Sequence, residues 1–151
     1  MKPNFELSRI QRKVIASFIE NYNLEQLNTI PAGYSNNLFW NIAHIVVTQQ
    51  LLVYKLSGLP MHISDELVEK YKKGSSVTAP ATAEEVAEVK NLLHNTIDQT
   101  EKDFANGIFK TYSDYPTSTG YVIKSALDAM QFNVFHEGIH IGVMMGIRKF
   151  L

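Results

Sequence analysis

The sequence predicts an all-α protein, a four-helix bundle with a short extra helix between the second and third long helices. Apolar residues recur at three- and four-residue steps in four long segments, capping or helix-breaking residues bound most of these segments, and no convincing pair of strands is visible. With 151 residues, 45% of them hydrophobic and 19% charged, the chain is expected to form one domain over residues 1–151.

The first long helix is predicted over about residues 6–22. Its predicted core face consists of apolar residues at helical spacing: Leu7, Ile10, Val14 and Phe18. Its predicted solvent face consists of charged residues: Arg9, Arg12, Lys13 and Glu20. Residues 21–37 are predicted to form a connection. The second helix is predicted over about residues 36–57, because Gly58 and Pro60 stop it.

The connection at residues 59–81 is irregular and is predicted to carry the short helix over residues 65–73, with Ser64 as its cap. A capping box at residues 82–85 opens the third long helix, predicted over about 83–106. Residues 108–120 are predicted to form an ordered loop or a short hairpin. The last helix is predicted from about residue 121 to the C-terminus.

Composition narrows the functional classes. The formal charge is −1 without a run of like charges, so nothing predicts a nucleic-acid partner. The absence of cysteine excludes disulfides and thiolate metal sites. Residues 34–54 carry no charge, yet their Asn, His, Thr and Gln side chains favour burial inside a protein over a membrane span. The first six residues lack the apolar core of a signal peptide, which predicts a cytoplasmic location.

Two histidines of the last helix predict a metal site. His136 and His140 are four residues apart, so both rings project from one helix face and can reach a single ion. A third ligand is needed, and His44 is the best candidate, because it falls on the apolar face of the second helix. Three imidazoles converging in the interior of a bundle would hold a divalent metal ion and leave at least one coordination position open.

Two familiar alternatives fit the sequence poorly. Residues 136–140 match the H-E-x-x-H signature of metalloproteases, but no His, Asp or Glu follows His140 to supply the downstream third ligand. Glu137 and His140 form the E-x-x-H of a di-iron site, but that site needs carboxylates from four helices and the second helix has none.

Polar neighbours of the three histidines are candidates for orienting the rings or a substrate: Asn41, Thr48 and Asn133. Glu137 could accept a proton at the rim of the site, although a solvated carboxylate is the favoured interpretation. His62 and His94 are predicted to be surface residues.

Three glycines follow one another at four-residue spacing on the last helix: Gly138, Gly142 and Gly146. Such a bare stripe allows close approach of another backbone, either from a neighbouring helix or from a second subunit. The apolar C-terminal end around it favours a homodimer.

Two motifs resemble those of the DinB-like superfamily. These are Trp40-Asn41-Ile42-Ala43-His44 on the second helix and His136-x-x-x-His140-x-Gly142 on the last. The resemblance implies an up-down-down-up four-helix bundle, a nickel or zinc ion on the three histidines, and frequent homodimers. It also implies kinship with thiol-dependent isomerases and thiol S-transferases that use low-molecular-weight thiols. Ile141 and Val143 stand where members often carry polar or basic residues, so no specific substrate-binding role carries over.

Three functional hypotheses follow. The leading one is a metal-dependent enzyme whose His₃-bound ion activates a thiol or water for attack on a small electrophilic substrate, as in thiol S-transferases. The second is a metal-dependent hydrolase, which differs in needing no thiol cosubstrate. The third is a non-catalytic metal-binding or stress-related protein, whose site should be closed to solvent.

Overall fold

The computed structural model describes residues 3–151 and is predominantly helical, which confirms the all-α class. Met1 and Lys2, part of the stretch from which the cytoplasmic location is predicted, lie outside the described residues. The α-helices are α1 (Phe5–Asn21), α2 (Leu24–Asn28), α3 (Leu38–Val53), α4 (Asp65–Tyr71), α5 (Ala83–Ala105) and α6 (Ala126–Ile147). Two 3₁₀ turns follow α3 and α6, at Lys55–Ser57 and Arg148–Phe150.

Side chains at the N-termini fix where the helices begin. Ser64 accepts a hydrogen bond from the Leu67 amide at the start of α4, as predicted. The predicted capping box at residues 82–85 forms only in part. Thr82 accepts from the Glu85 amide, but the Glu85 carboxylate accepts from the Tyr71 hydroxyl at 3.0 Å. A complete capping box instead opens α2, a helix that lies in the segment predicted to be a connection.

Helix α3 lies at the centre of the molecule. All of its residues except Thr48 and Leu51 are buried, and it packs against α6, α5 and α4. Its buried amides have internal partners: Gln49 donates to Thr100 at 2.8 Å, and Gln50 accepts from the His62 amide at 2.8 Å. This confirms the interpretation of the uncharged segment as a buried helix with internal partners. Among residues 3–151 there is no helix long and apolar enough to cross a membrane.

The predicted core face of α1 is wrong at three of its four positions, and only Phe18 is buried as predicted, at 5% exposure. Leu7, Ile10 and Val14 are 40–52% exposed, and Arg12, predicted to face solvent, is completely buried. The helix is rotated so that Arg12, Ile15 and Ala16 face the interior, where α1 packs on α5 and α6. The rotation places Arg12 against Glu137 of α6, a partner that local periodicity cannot reveal.

The segment between α5 and α6 forms a minimal hairpin. Strands β1 (Tyr115–Pro116) and β2 (Val122–Ile123) pair antiparallel, so one of the two predicted alternatives is confirmed. Because β2 occupies residues 122–123, α6 begins at Ala126 rather than at residue 121, with Ser125 as its cap. The Ser113 amide donates to the Leu56 carbonyl at 2.7 Å, which holds the hairpin segment beside the end of α3.

Candidate metal centre

The three predicted histidines come together between α3 and α6. His44, His136 and His140 each offer one ring nitrogen, and these atoms all lie within 4.8 Å of one another. The Nε2 atoms of His136 and His140 are 3.1 Å apart. Two nitrogens on one tetrahedral ion would be separated by about 3.4 Å, so this pair already has close to the required spacing. The group can therefore hold a metal ion.

A backbone oxygen fixes the orientation of the His44 ring. The Nδ1–H of His44 donates to the Tyr71 carbonyl, at the end of α4, at 2.6 Å. This bond leaves the lone pair on Nε2, which accepts from the Thr48 hydroxyl at 3.2 Å. The ring also stacks on Trp40, with centroids 4.5 Å apart and planes at 11°. His44 is thus held as the tautomer that presents Nε2 to the cluster.

Asn41 fixes the second ring. The Nδ1–H of His140 donates to the Asn41 side-chain oxygen at 2.8 Å, which again leaves Nε2 to face the other histidines. Asn41, a predicted candidate for orienting a ring or a substrate, therefore lies beside a ring of the cluster. His136 has no such support, because its Nδ1 is buried without a hydrogen-bond partner among residues 3–151.

Burial keeps all three rings neutral. It is the largest cause that lowers the pKa of each histidine, to about 3 for His136 and about 4 for His140. Repulsion from neighbouring histidines lowers the pKa of His136 and His140 further, and Lys73 has this effect on His44. Neutral imidazole is the form that binds metal ions, so the cluster is in its ligating state at neutral pH.

Residues 8–144 match the model of the DinB superfamily. The chain belongs to the DinB superfamily. The match begins in α1, ends in α6 and includes all three clustered histidines, which confirms the resemblance seen in the two sequence motifs. A three-histidine group able to hold a metal ion is consistent with the metal-binding character of DinB proteins. No curated protein matches the chain.

In this DinB protein, the favoured interpretation of Glu137 as a solvated carboxylate is wrong. Glu137 is completely buried, and its Oε1 accepts from Arg12 Nε at 2.9 Å and Arg12 Nη2 at 2.7 Å. The same oxygen accepts from the Asn133 side-chain amide at 2.6 Å. The Asn133 side chain therefore belongs to the buried group around Glu137, and the role predicted for it, orienting a ring or a substrate, stays a prediction. Glu137 points away from the rim and joins α6 to α1.

A cleft opens onto the histidines of this DinB protein. Its volume is about 590 Å³, and it is bounded by α3, α6, the turn after α4 and the hairpin segment. Its walls are mostly apolar and include Trp40, Leu51, Phe132 and Ile139. Hydroxyl groups at positions 117–119 lie at the hairpin side. The size suits a small organic molecule, and the three histidines lie within its lining.

The remaining histidines lie outside the cluster. His62 is exposed and sits 3.5 Å from the Asp103 carboxylate, while His94 is partly exposed on α5. The glycines of α6 have different surroundings. A Cβ on Gly146 would lie 2.6 Å from the Tyr34 hydroxyl, whereas one on Gly142 would meet nothing within 4 Å. A Cβ on Gly138 would lie 3.8 Å from the Gln11 side chain of α1. Among the described residues, no backbone atom of another element lies within 4 Å of a Cβ added at any of the three glycines.

Proposed function

We propose that this DinB protein is a metal-dependent enzyme of the thiol S-transferase type. In this proposal His44, His136 and His140 hold one divalent ion, zinc or nickel, and the substrate is a small electrophile attacked by a low-molecular-weight thiol or by water. A bound divalent ion supplies Lewis acidity, which lowers the pKa of a thiol or water to near neutrality. The observation that carries the proposal is the convergence of three neutral imidazoles at one cleft, one of them buried and two half-buried.

The residues around the cluster have distinct parts in this proposal. The Tyr71 carbonyl and the Asn41 side chain hold two rings with Nε2 directed inward, so little reorganisation accompanies metal binding. Thr48 lies beside the His44 Nε2 and can orient a bound thiol or water by its hydroxyl. The apolar walls near Trp40 and Phe132 exclude water from the reacting groups, which strengthens electrostatic interactions there.

The open cleft favours an enzyme over a non-catalytic metal-binding protein. A structural metal site is normally closed by four protein ligands, whereas a catalytic one keeps a position for water or substrate. Among residues 3–151, His44, His136 and His140 are the only residues that form a group of three or more potential metal ligands. A cleft of about 590 Å³ leads to them, so a substrate can reach the site.

Metal analysis tests the site. Protein purified without a histidine tag is expected to contain about one divalent ion per chain, and His44→Ala is expected to lose most of it. His62→Ala is the matched control, because His62 is an exposed histidine outside the cluster. Stoichiometric metal in His44→Ala would remove His44 from the site.

Turnover assays test the reaction class. Metal-loaded protein is combined with several low-molecular-weight thiols and small electrophiles between about pH 6 and pH 9, the range in which the pKa of a thiol falls. Acceleration by a thiol supports the transferase, and turnover without a thiol supports the hydrolase. A rate no higher than that of metal-free protein with every pair counts against an enzyme.

The fold and its setting complete the proposal. We propose that α1, α3, α5 and α6 form the up-down-down-up bundle of the family, as one domain over residues 1–151. The packing of α3 on α6, α1 on α5 and α3 on α5 supports this arrangement. Action in the cytoplasm, without a nucleic-acid or membrane partner, is part of the same proposal.

A homodimer is also proposed, through the exposed apolar face of α1 and the neighbouring glycines of α6. Leu7, Ile10 and Val14 form one exposed stripe, and Gly142 on the adjacent helix leaves room for a second backbone. Sedimentation should show a dimer for the unaltered chain and a monomer for Ile10→Glu. Ile30→Glu is the control, because Ile30 is an exposed isoleucine outside the stripe (43% against 52% for Ile10). A dimer of undiminished affinity in Ile10→Glu would contradict the proposed interface.

A further inference from the structure

Two lysines of the cleft have no carboxylate partner. Lys55 enters from the 3₁₀ turn after α3, and Lys73 from the turn after α4, and both line the same cavity as the three histidines. Neither forms an ion pair with any of the described residues. Their neighbours along the chain behave differently: Lys70 pairs with Glu66 and Glu85, and Lys72 pairs with Glu69.

The charged side chains that line the cleft are therefore all positive. No aspartate or glutamate of residues 3–151 lines it, although the protein as a whole is slightly acidic, with a formal charge of −1. A bound divalent ion would add to the positive charge of the two lysines. A cleft lined by charge of one sign with apolar walls concentrates ligands of the opposite sign.

The apolar walls define the rest of the ligand. Trp40, Leu51, Leu56 and Phe132 line the interior, and Phe135 and Ile139 stand exposed at the rim, at 53% and 46%. Solvent-exposed aromatic and aliphatic side chains beside a cavity are stabilised when an apolar body covers them. The lysines thus lie next to a surface that favours a hydrocarbon or aromatic group over a small inorganic anion.

From these juxtaposed features we infer that the electrophilic substrate is an organic anion, with an aromatic or aliphatic body on the apolar walls and its anionic group at Lys55 and Lys73. This inference rests on the proposed function, because it names the substrate class of the same site. It excludes cationic substrates and places neutral ones at a disadvantage. The body of the molecule lies between the lysines and the histidines, with its reactive carbon toward the histidines.

The test compares three probes that share one apolar body: 4-phenylbutyrate, 4-phenylbutyramide and 4-phenylbutylamine. Trp40 is the single tryptophan and lines the cleft, so its fluorescence reports occupancy. Zinc-loaded protein is expected to bind the carboxylate about tenfold more tightly than the amide and the amine most weakly, because each exposed lysine contributes a factor of a few. The preference should shrink between about 0.05 M and about 0.5 M salt, where charges are screened.

Substitutions assign the preference to the two lysines. Lys55→Met and Lys73→Met should each weaken carboxylate binding about threefold, and the double variant about tenfold, with amide binding unchanged. Lys72→Met is the matched control. It removes the same charge one position from Lys73, from a lysine paired with Glu69 that does not line the cleft, and should leave all three affinities unchanged. A carboxylate can also bind the ion, but that contribution is common to the original protein and the lysine variants.

The inference would be overturned if the carboxylate and the amide bound with equal affinity. It would also be overturned if Lys72→Met weakened carboxylate binding as much as Lys55→Met or Lys73→Met. Failure of all three probes to bind would overturn the apolar-body part. These outcomes are separable from failure of the proposed function. If the chain binds neither zinc nor nickel, the proposed function fails, and the same probes on metal-free protein still measure the charge preference. If zinc binds and the preference is absent, only the substrate class is wrong.

Discussion

The buried ion pair between Arg12 and Glu137 is expected to be a major determinant of stability. Both side chains are essentially inaccessible, at 0% and 1% exposed, and one carboxylate oxygen accepts three hydrogen bonds, two from Arg12 and one from Asn133. Glu137→Leu would leave a buried guanidinium and a buried amide unpaired. Breaking a buried pair in this way lowers the free energy of unfolding by about 3–5 kcal/mol. For a chain of this length the melting temperature should fall by about 6–20 °C.

Urea unfolding of metal-free protein, followed by circular dichroism, measures the effect without a contribution from metal binding. Glu137→Gln should lose less, about 1–3 kcal/mol, because a neutral oxygen still accepts hydrogen bonds. Arg12→Met combined with Glu137→Leu should recover at least about 1 kcal/mol, since neither charge is then left alone. The control is Arg9→Met, which removes exposed pairs with Asp98 and Glu101 and should lower the free energy of unfolding by less than about 1 kcal/mol. A loss in Glu137→Leu no larger than in Arg9→Met, with no recovery in the double variant, would refute the reasoning.

Three further predictions concern the site and α6. Asn41→Ala frees the Nδ1–H of His140 and should weaken zinc binding about 10–100-fold in a competition titration; unchanged affinity would contradict the role of the amide. Gly142→Ala should raise the free energy of unfolding of dilute protein by up to about 1 kcal/mol. Gly146→Ala should raise it less, because the added methyl group meets the Tyr34 hydroxyl. Equal changes in the two variants would contradict this prediction. The lowered pKa values of the clustered histidines mean that the unfolded state binds more protons below about pH 6.5, so metal-free protein should be fully stable above that pH. It should lose about 2 kcal/mol for each of His136 and His140 by about pH 5, and His44 adds to the loss in the same direction. A variant that lacks one of these rings should lose less, and a free energy of unfolding that stays constant from about pH 7 to pH 5 in urea titrations would refute this.

Periodicity located the candidate site because its ligands follow local rules. His136 and His140 share a face through their four-residue spacing, and His44 falls on the apolar face of a helix without charges. Asn41 lies about one turn before His44 on α3, and this spacing predicts a position near the cluster, whereas its hydrogen-bond partner His140 lies on another helix and is not predicted.

What the sequence did not predict depends on distant or backbone partners. Arg12 and Glu137 are 125 residues apart, and isolated charges are expected at the surface, so periodicity does not predict the rotation of α1. The Tyr71 carbonyl that orients His44 has no sequence signal, since every residue carries one. Two-residue strands such as β1 and β2 are too short for an alternating pattern, so the sequence predicts the beginning of α6 at residue 121 instead of at Ala126.

Because His44 bonds to the backbone carbonyl of Tyr71, the site is sensitive to the length of the connection between α3 and α4 and not to the side chain at position 71. Any residue at position 71 supplies the same oxygen, so point substitution there leaves the acceptor in place. Inserting or deleting one residue between α3 and α4 would instead turn or shift α4 and carry that oxygen away from the ring. Loop exchange in this connection is therefore a way to alter how His44 is presented while every histidine of the cluster is retained.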